Sequence, residues 1–360
     1  MKGKVLRVVL CVILSAAFMF TSCGTLGDQG SSGDDKLYVY NWGLYIDESV
    51  LDEFEEEFGI KVIYDKFDTN ESMYQRFTNS NISYDVMIPS DYMISKLMKE
   101  DNLLKLDKSK IPNLEYMISD IMELSETFDP GNEYAVPYTW GTLGILYNTE
   151  KMEEPTSWDV FWDAQYSKKI FMYDSQRDTI GMALKRLGYS LNTTNIAELN
   201  EAVDSLLVQK PLTLKYLGDE VIQGMVANEA WMALVYNGDA VDIMDKNDKL
   251  DYVIPDEGTN LFVDAMVIPK NSKNVDAAHK FINFMCRKDI ALKNTLEIGY
   301  STPHSEAFEA LDDDWKEDPA YWPMADIEEN KNTNKYEVFY DIGEFIKEYD
   351  KAWNKITGGK

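Results

Sequence analysis

The chain predicts an α/β protein built as two units, on three observations. Short β-rich runs alternate with amphipathic helical windows, this alternation occurs in two successive series, and about 325 residues after the first 35 exceed what one hydrophobic core usually holds.

The first series starts with a strand at Leu37–Tyr40 and a helix at Glu48–Phe58 whose Val50, Leu51, Phe54 and Phe58 share one face. A strand at Lys61–Tyr64, a helix at Glu71–Phe77 and a strand at Tyr84–Ile88 follow, closed by the turn Pro89-Ser90. Such a run predicts parallel strands joined by right-handed crossovers. The second series opens with Thr142–Tyr147, then a strand at Lys169–Tyr173 and helices at Thr179–Leu187 and Ile196–Val208. Helices at Val221–Ala227 and Ala240–Asp245 accompany strands at Trp231–Tyr236 and Asp251–Ile254. The apolar run Phe262–Pro269 precedes a helix at Val275–Cys286, and Tyr340–Trp353 reads as a last amphipathic helix. Two such series fit either two independent domains or two lobes of one ligand clamp, and periodicity does not choose between them.

The N-terminus sets the compartment. Lys2, Lys4 and Arg7 precede a thirteen-residue run, Val8–Phe20, too short to span a bilayer as a permanent helix. The run ends in Phe20-Thr21-Ser22-Cys23, small residues before a cysteine as in the box at which bacterial lipoproteins are cut and lipidated. Residues 1–22 are thus expected to be a signal peptide, and Cys23 the lipidated mature N-terminus that anchors the protein to the bilayer outside the cytoplasm. Residues 23–35, rich in Gly, Ser and Asp, are expected to be a flexible tether. With Cys11 in the signal and Cys23 on lipid, Cys286 alone remains in the folded part, so no internal disulfide can form.

Without residues 1–22 the balance is 32 basic against 63 acidic residues, a net charge of −31. That field repels nucleic acid and anionic headgroups and attracts cations. No nucleophile elbow, phosphate loop, dinucleotide fingerprint or H-E-x-x-H helix occurs, so nothing marks an enzyme. The two histidines, His279 on a helix face read as solvent-facing and His304 in a loop, are too far apart in sequence to suggest a zinc site or a triad. A glycosidase needs only two carboxylates, which composition cannot exclude, but no motif supports one. Asp245-Lys246-Asn247-Asp248 has the spacing of a calcium loop, yet its sixth position holds Leu250 in place of Gly. No metal or cofactor is expected.

The informative residues are aromatics, acids and a serine placed just after strands, where open α/β sheets present ligand-contacting loops. They are Trp42 and Tyr45, Ser90 and Tyr92, Asp174 to Asp178, Tyr236 and Asp239, Phe262 and Asp264, and Tyr300. Taken singly, such an aromatic usually packs and such an acid usually caps a helix. As a set, with the stretches Tyr40-Asn41-Trp42-Gly43-Leu44-Tyr45-Ile46, Phe58-Gly59-Ile60-Lys61-Val62-Ile63-Tyr64, Tyr84-Asp85-Val86-Met87-Ile88-Pro89-Ser90-Asp91-Tyr92, Phe128-Asp129-Pro130-Gly131-Asn132, Leu187-Gly188-Tyr189-Ser190 and Ile298-Gly299-Tyr300-Ser301-Thr302-Pro303, they resemble the spermidine/putrescine-binding proteins of polyamine ABC transporters.

The resemblance implies a two-lobed periplasmic-binding-protein fold of type II kind, each lobe a mixed sheet flanked by helices. Lobe 1 would take residues 36–141 plus 266–310 and lobe 2 residues 142–265 plus 311–360, with the ligand in the cleft. It also implies a monomer that passes putrescine or spermidine to ABC permease subunits. A polyamine is a methylene chain bearing ammonium groups, so its site needs spaced carboxylates and aromatic faces between them. By resemblance, Trp42, Gly43, Tyr45, Tyr92, Tyr236, Phe262 and Tyr300 line the ligand, Ser90 offers a hydroxyl, and Asp178, Asp239 and Asp264 hold ammonium groups. Leu44 and Ser175 stand where family members often carry acids, and the pattern Asp174-Ser175-x-x-Asp178 is closer to putrescine-preferring members. Other cations, sugars and metal complexes remain as alternative solutes of the same fold.

Overall fold

The computed structural model describes residues 36–330 and 333–358. The signal segment 1–22, Cys23 and the tether 23–35 lie outside the described residues. The strands are β1 (Lys36–Trp42), β2 (Lys61–Phe67), β3 (Val86–Met87), β4 (Ala135–Asn148), β5 (Ile170–Tyr173), β6 (Thr213–Leu217), β7 (Met232–Tyr236), β8 (Leu250–Val253), β9 (Thr259–Val267) and β10 (Tyr336–Glu337). They form one mixed sheet in the order β2-β1-β3-β9-β4-β7-β5-β6, with β8 beside β4 and β10 beside β9.

The first series folds as read: β1 pairs in parallel with β2 and β3, joined by the helices Ser49–Phe58 and Asn70–Asn79. The sheet turns antiparallel at β9, whose Val267 lies opposite Met87. In the second series β5 pairs in parallel with β6 and β7, while β4 runs antiparallel to β7, β8 and β9.

The fourteen-residue β4 joins the two ends of the sheet. Its first half, Ala135–Thr142, pairs with β9, and its second half, Leu143–Tyr147, pairs with β7. Every residue of it is buried, as expected of a strand covered on both faces. The sequence reading set apart only Thr142–Tyr147, without assigning it as a strand, because Pro137 and Gly141 interrupt the β-rich pattern of the first half. The register shifts between Pro137 and Thr139, the irregularity that lets proline sit inside a sheet. At Gly141 a Cβ would stand 2.0 Å from Asn237 Oδ1. The missing side chain leaves room for the buried Asn237 amide, which accepts from Thr142 N and donates to Ser301 Oγ and Ala320 O.

The apolar clusters follow this division. Two flank the β1–β3 end: one holds Val39, Phe54, Val136, Phe281 and Phe284, the other Tyr40, Met87, Trp140, Val263, Ala265 and Val267. Two more flank the β5–β7 end, with Leu143, Trp158, Met172 and Tyr349 in one and Leu146, Phe171, Ala233 and Tyr321 in the other.

One histidine placement corrects the sequence reading, and the other keeps it. His279 is buried rather than solvent-facing: its Nε2 accepts from Asp107 N and its Nδ1 lies 2.7 Å from Val275 O. His304 is also buried, and it caps the helix Ser305–Glu309 by accepting from Ala307 N. Both rings serve backbone groups of the core. The last helix is Ile346–Thr357 rather than Tyr340–Trp353, since Gly343 adopts φ 61° in the short turn that precedes it.

Candidate functional site

Trp42, Tyr45, Ser90, Tyr236 and Asp239 stand at or near strand ends as expected, but Phe262 and Asp264 lie within β9 and Tyr300 follows the helix Lys288–Ile298 rather than a strand. Asp264 lies on β9, 4 % exposed, bridged to Ser90 at the end of the β3 segment. Its Oδ2 accepts from Tyr45 Oη at 2.6 Å, and the same hydroxyl is 2.6 Å from Thr139 Oγ1. Its Oδ1 is buried with no hydrogen-bond partner in the protein. Burial pushes the carboxyl up to about 6, against the opposing pull of Ser90 and Tyr45.

From Asp264 a row of rings leads to a second acid. Tyr45 and Tyr300 have centroids 5.1 Å apart, Phe262 stands 5.9 Å from Tyr300 and 5.1 Å from Tyr236, and Trp42 lies 6.4 Å from Tyr45. The indole Nε1 of Trp42 is buried and unpartnered. Tyr300 Oη donates to Asp239 Oδ1 at 3.1 Å. Asp239 sits in the first turn of the helix Asn237–Lys246, and burial followed by the nearby Asp219 raises it to about 7. Gly238 is what allows Tyr300 to lie there, because a Cβ would stand 2.3 Å from its ring.

Asp178 is the third acid. The helix begins at Gln176, three residues before the start read from sequence, so Asp178 lies in its first turn. Ser175 Oγ donates to its Oδ2 at 2.5 Å, and Asn260 Nδ2 is 3.4 Å from its Oδ1. Burial raises its pKa, while Ser175, Tyr236 and the charge of Arg177 lower it. Arg177 is itself buried: its guanidinium lies 4.3 Å from the Phe339 ring, 5.3 Å from Tyr349 and 5.6 Å from Tyr92, with NH2 donating to Asn192 at 3.0 Å.

Two predicted residues stand apart from this row. The Tyr92 hydroxyl accepts from Asn70 and donates to Glu71, which turns it toward the helix Asn70–Asn79. Gly43 faces Asp219, and its neighbour Leu44 points into solvent, 71 % exposed.

Sequence reasoning missed Tyr173, Asp219 and Arg177. Tyr173 ends β5 with its ring 5.1 Å from Tyr236, and after burial its hydroxyl is pushed up by Asp239, Asp219, Asp178 and Asp264 in that order. One phenol thus feels four carboxylates. Both Tyr173 and Asp219 obey the strand-end rule that found Trp42, Tyr45 and Asp239; β6 was not read as a strand, so the loop after it went unsearched.

Two buried acids, Asp264 and Asp178, and the half-buried Asp239, with aromatic faces between them, make a chemistry suited to holding a solute by contact. Among the described residues no group of His, Cys, Asp and Glu is placed to hold a metal ion. Fold and site together define a solute-binding protein. The chain matches the family of bacterial extracellular solute-binding proteins over residues 49–323 and belongs to it. It is 35% identical to the spermidine/putrescine-binding periplasmic protein 1 of Haemophilus influenzae, covering 92% of this chain and 91% of that one. It is 33% identical to the spermidine/putrescine-binding periplasmic protein of Escherichia coli strain K12, covering 93% and 96%. Among solved structures it resembles the spermidine/putrescine ABC transporter substrate-binding protein PotD from Streptococcus pneumoniae, with TM-score 0.77, 40% identity and 90% and 99% coverage. It also resembles the Tp0655 lipoprotein of Treponema pallidum, with TM-score 0.81, 28% identity and 89% and 99% coverage. The chain shares the two-lobed fold of periplasmic binding proteins.

Proposed function

We propose that this chain is the extracytoplasmic receptor of an ABC importer for polyamines, taking putrescine or spermidine between its lobes and releasing it to the permease without chemical change. The observation that carries the reading is Asp264, a buried carboxylate with one oxygen bound to Tyr45 and the other left without a protein partner, at the head of a row of aromatic rings. Stranding a charge in that way is costly unless a cation completes the pair. An ammonium does so, and methylenes fit the ring faces beyond it, where a cation over an aromatic face gains about 0.5–2 kcal/mol. Asp239 and Asp178 then serve the other nitrogen, with Trp42, Tyr236, Phe262 and Tyr300 enclosing the chain between. Relatives named for spermidine and putrescine support the ligand class.

The lobes of this clamp are the two ends of the sheet, with β4 and β9 as crossings. Because Leu261, Val263, Ala265 and Val267 share a cluster with Tyr40 and Met87, we put the second crossing before Leu261 rather than after residue 265. We also propose lipid on Cys23 as the anchor, supported by the residue pattern before it and by a relative named as a lipoprotein. No helix among the described residues is long and apolar enough to cross a membrane.

Ligand that bridges two lobes draws them together, so saturating polyamine should raise the melting temperature and shrink the radius seen by small-angle scattering. At a hundred times Kd the added stability is about 2.7 kcal/mol. A melting temperature unmoved by millimolar putrescine and spermidine would count against the reading.

A further inference from the structure

Asp219 follows β6 and precedes the helix Glu220–Val226, yet its side chain caps nothing there. Its carboxylate reaches instead toward the loop after β1: a Cβ on Gly43 would lie 3.4 Å from Asp219 Oδ2. The residue is exposed as a whole, though its carboxyl is partly shielded from solvent. Burial, then Asp68, then Glu220 raise its pKa, and no basic side chain figures among the charges acting on it. Asp219 is also the first charge to act on Asp239, and it ranks second, after Asp239, among those acting on Tyr173. The same tyrosine senses Asp264, whose buried Oδ1 has no partner, so the rim acid and that vacant acceptor belong to one cleft.

Two like charges brought together without a cation repel each other, and folding keeps such pairs where something else supplies the counter-charge. We propose that Asp219 is a specificity-determining residue of this cleft: with Asp239 it holds one ammonium end of the ligand, and it closes against Gly43 as the lobes approach. The inference rests on the polyamine reading and adds to it a contact at the mouth of the site.

The test compares Asp219→Asn with Glu220→Gln, which removes the same charge one residue away from a side chain that accepts from Gly218 N at its own helix start. Putrescine and spermidine are titrated by calorimetry into the parent and both variants, with melts of the free proteins alongside. Asp219→Asn should weaken binding about fivefold or more without lowering the free melting temperature, Glu220→Gln less than twofold, and Asp219→Glu should recover most of the loss. A parent that binds while Asp219→Asn matches it, or matches Glu220→Gln, overturns the role of Asp219 and leaves the polyamine reading standing. A parent that binds neither amine overturns both.

Discussion

Replacing Asp264 by asparagine should stabilise the free protein slightly while abolishing tight binding. The rise of this carboxyl from 3.8 to about 6 corresponds to roughly 3 kcal/mol working against folding once the group is ionised. That penalty is absent below the unfolded value near 4 and complete above about 6, so at pH 7.5 the parent bears all of it. Asparagine removes the charge but weakens the 2.6 Å bond from Tyr45 and leaves an amide N–H in the place of the partnerless Oδ1. Those losses are about 1 kcal/mol each, leaving a net gain near 1 kcal/mol and a melting temperature higher by a degree or two. Binding moves the opposite way, because the ligand ammonium loses its buried partner at about 2–5 kcal/mol, some thirty- to several-thousand-fold in Kd. Thermal melts without ligand and calorimetry with putrescine read the two effects separately. A variant that binds within threefold of the parent, or a free protein that melts many degrees lower, would refute the reasoning.

Affinity should fall with pH, since Asp239 near 7 and Asp264 near 6 must both be ionised to hold ammonium groups. From pH 7.5 to 5.5 the loss is on the order of a hundredfold, whereas stability of the free protein gains from protonation over the same range; a flat Kd would contradict it. Gly238→Ala would drive a Cβ into the Tyr300 ring and break its bond to Asp239, lowering stability by about 1–3 kcal/mol and weakening binding, as melts and titration would show. Leu44→Asp, which adds a carboxylate on the exposed side of the Trp42–Tyr45 loop, should change the ranking of putrescine against spermidine, and an unchanged ratio places that loop outside the site. Cys23→Ser should release the protein from the membrane fraction or leave it uncleaved, and mass spectrometry of the mature N-terminus decides the matter.

Much of this was legible in the sequence for a physical reason: strand ends carry the ligand loops in open α/β sheets, and the aromatics and acids there stand out against turn residues. Trp42, Tyr45 and Asp239 do stand at or just after strand ends, whereas Phe262 and Asp264 lie within β9 and Tyr300 follows the helix Lys288–Ile298, so for these three the strand-end reading was wrong and only the resemblance pointed to them. What was lost followed from local patterns overridden by tertiary structure. Lys215 and Tyr216 mask the apolar alternation of β6, and with that strand went Asp219. Pro137 and Gly141 disguise the half of β4 that passes between the ends of the sheet. Arg177 was passed over because a charged residue at a helix start reads as surface, and only the fold brings Tyr92, Phe339 and Tyr349 around it. His279 misled in the same way, since its burial is made tolerable by a backbone partner distant in sequence.

The central claim is that two-ended ammonium ligands fill the row from Asp264 to Asp239. It is tested most directly by calorimetric titration of the parent at pH 7.5 with putrescine, spermidine, a monoamine of similar length and a neutral sugar, with the amines recovered and analysed afterwards. The account predicts one saturable site of micromolar Kd or tighter for a polyamine, at least tenfold weaker binding of the monoamine, none of the sugar, and amines recovered intact. Equal binding of the monoamine, or no heat from either polyamine at millimolar concentration, would contradict it.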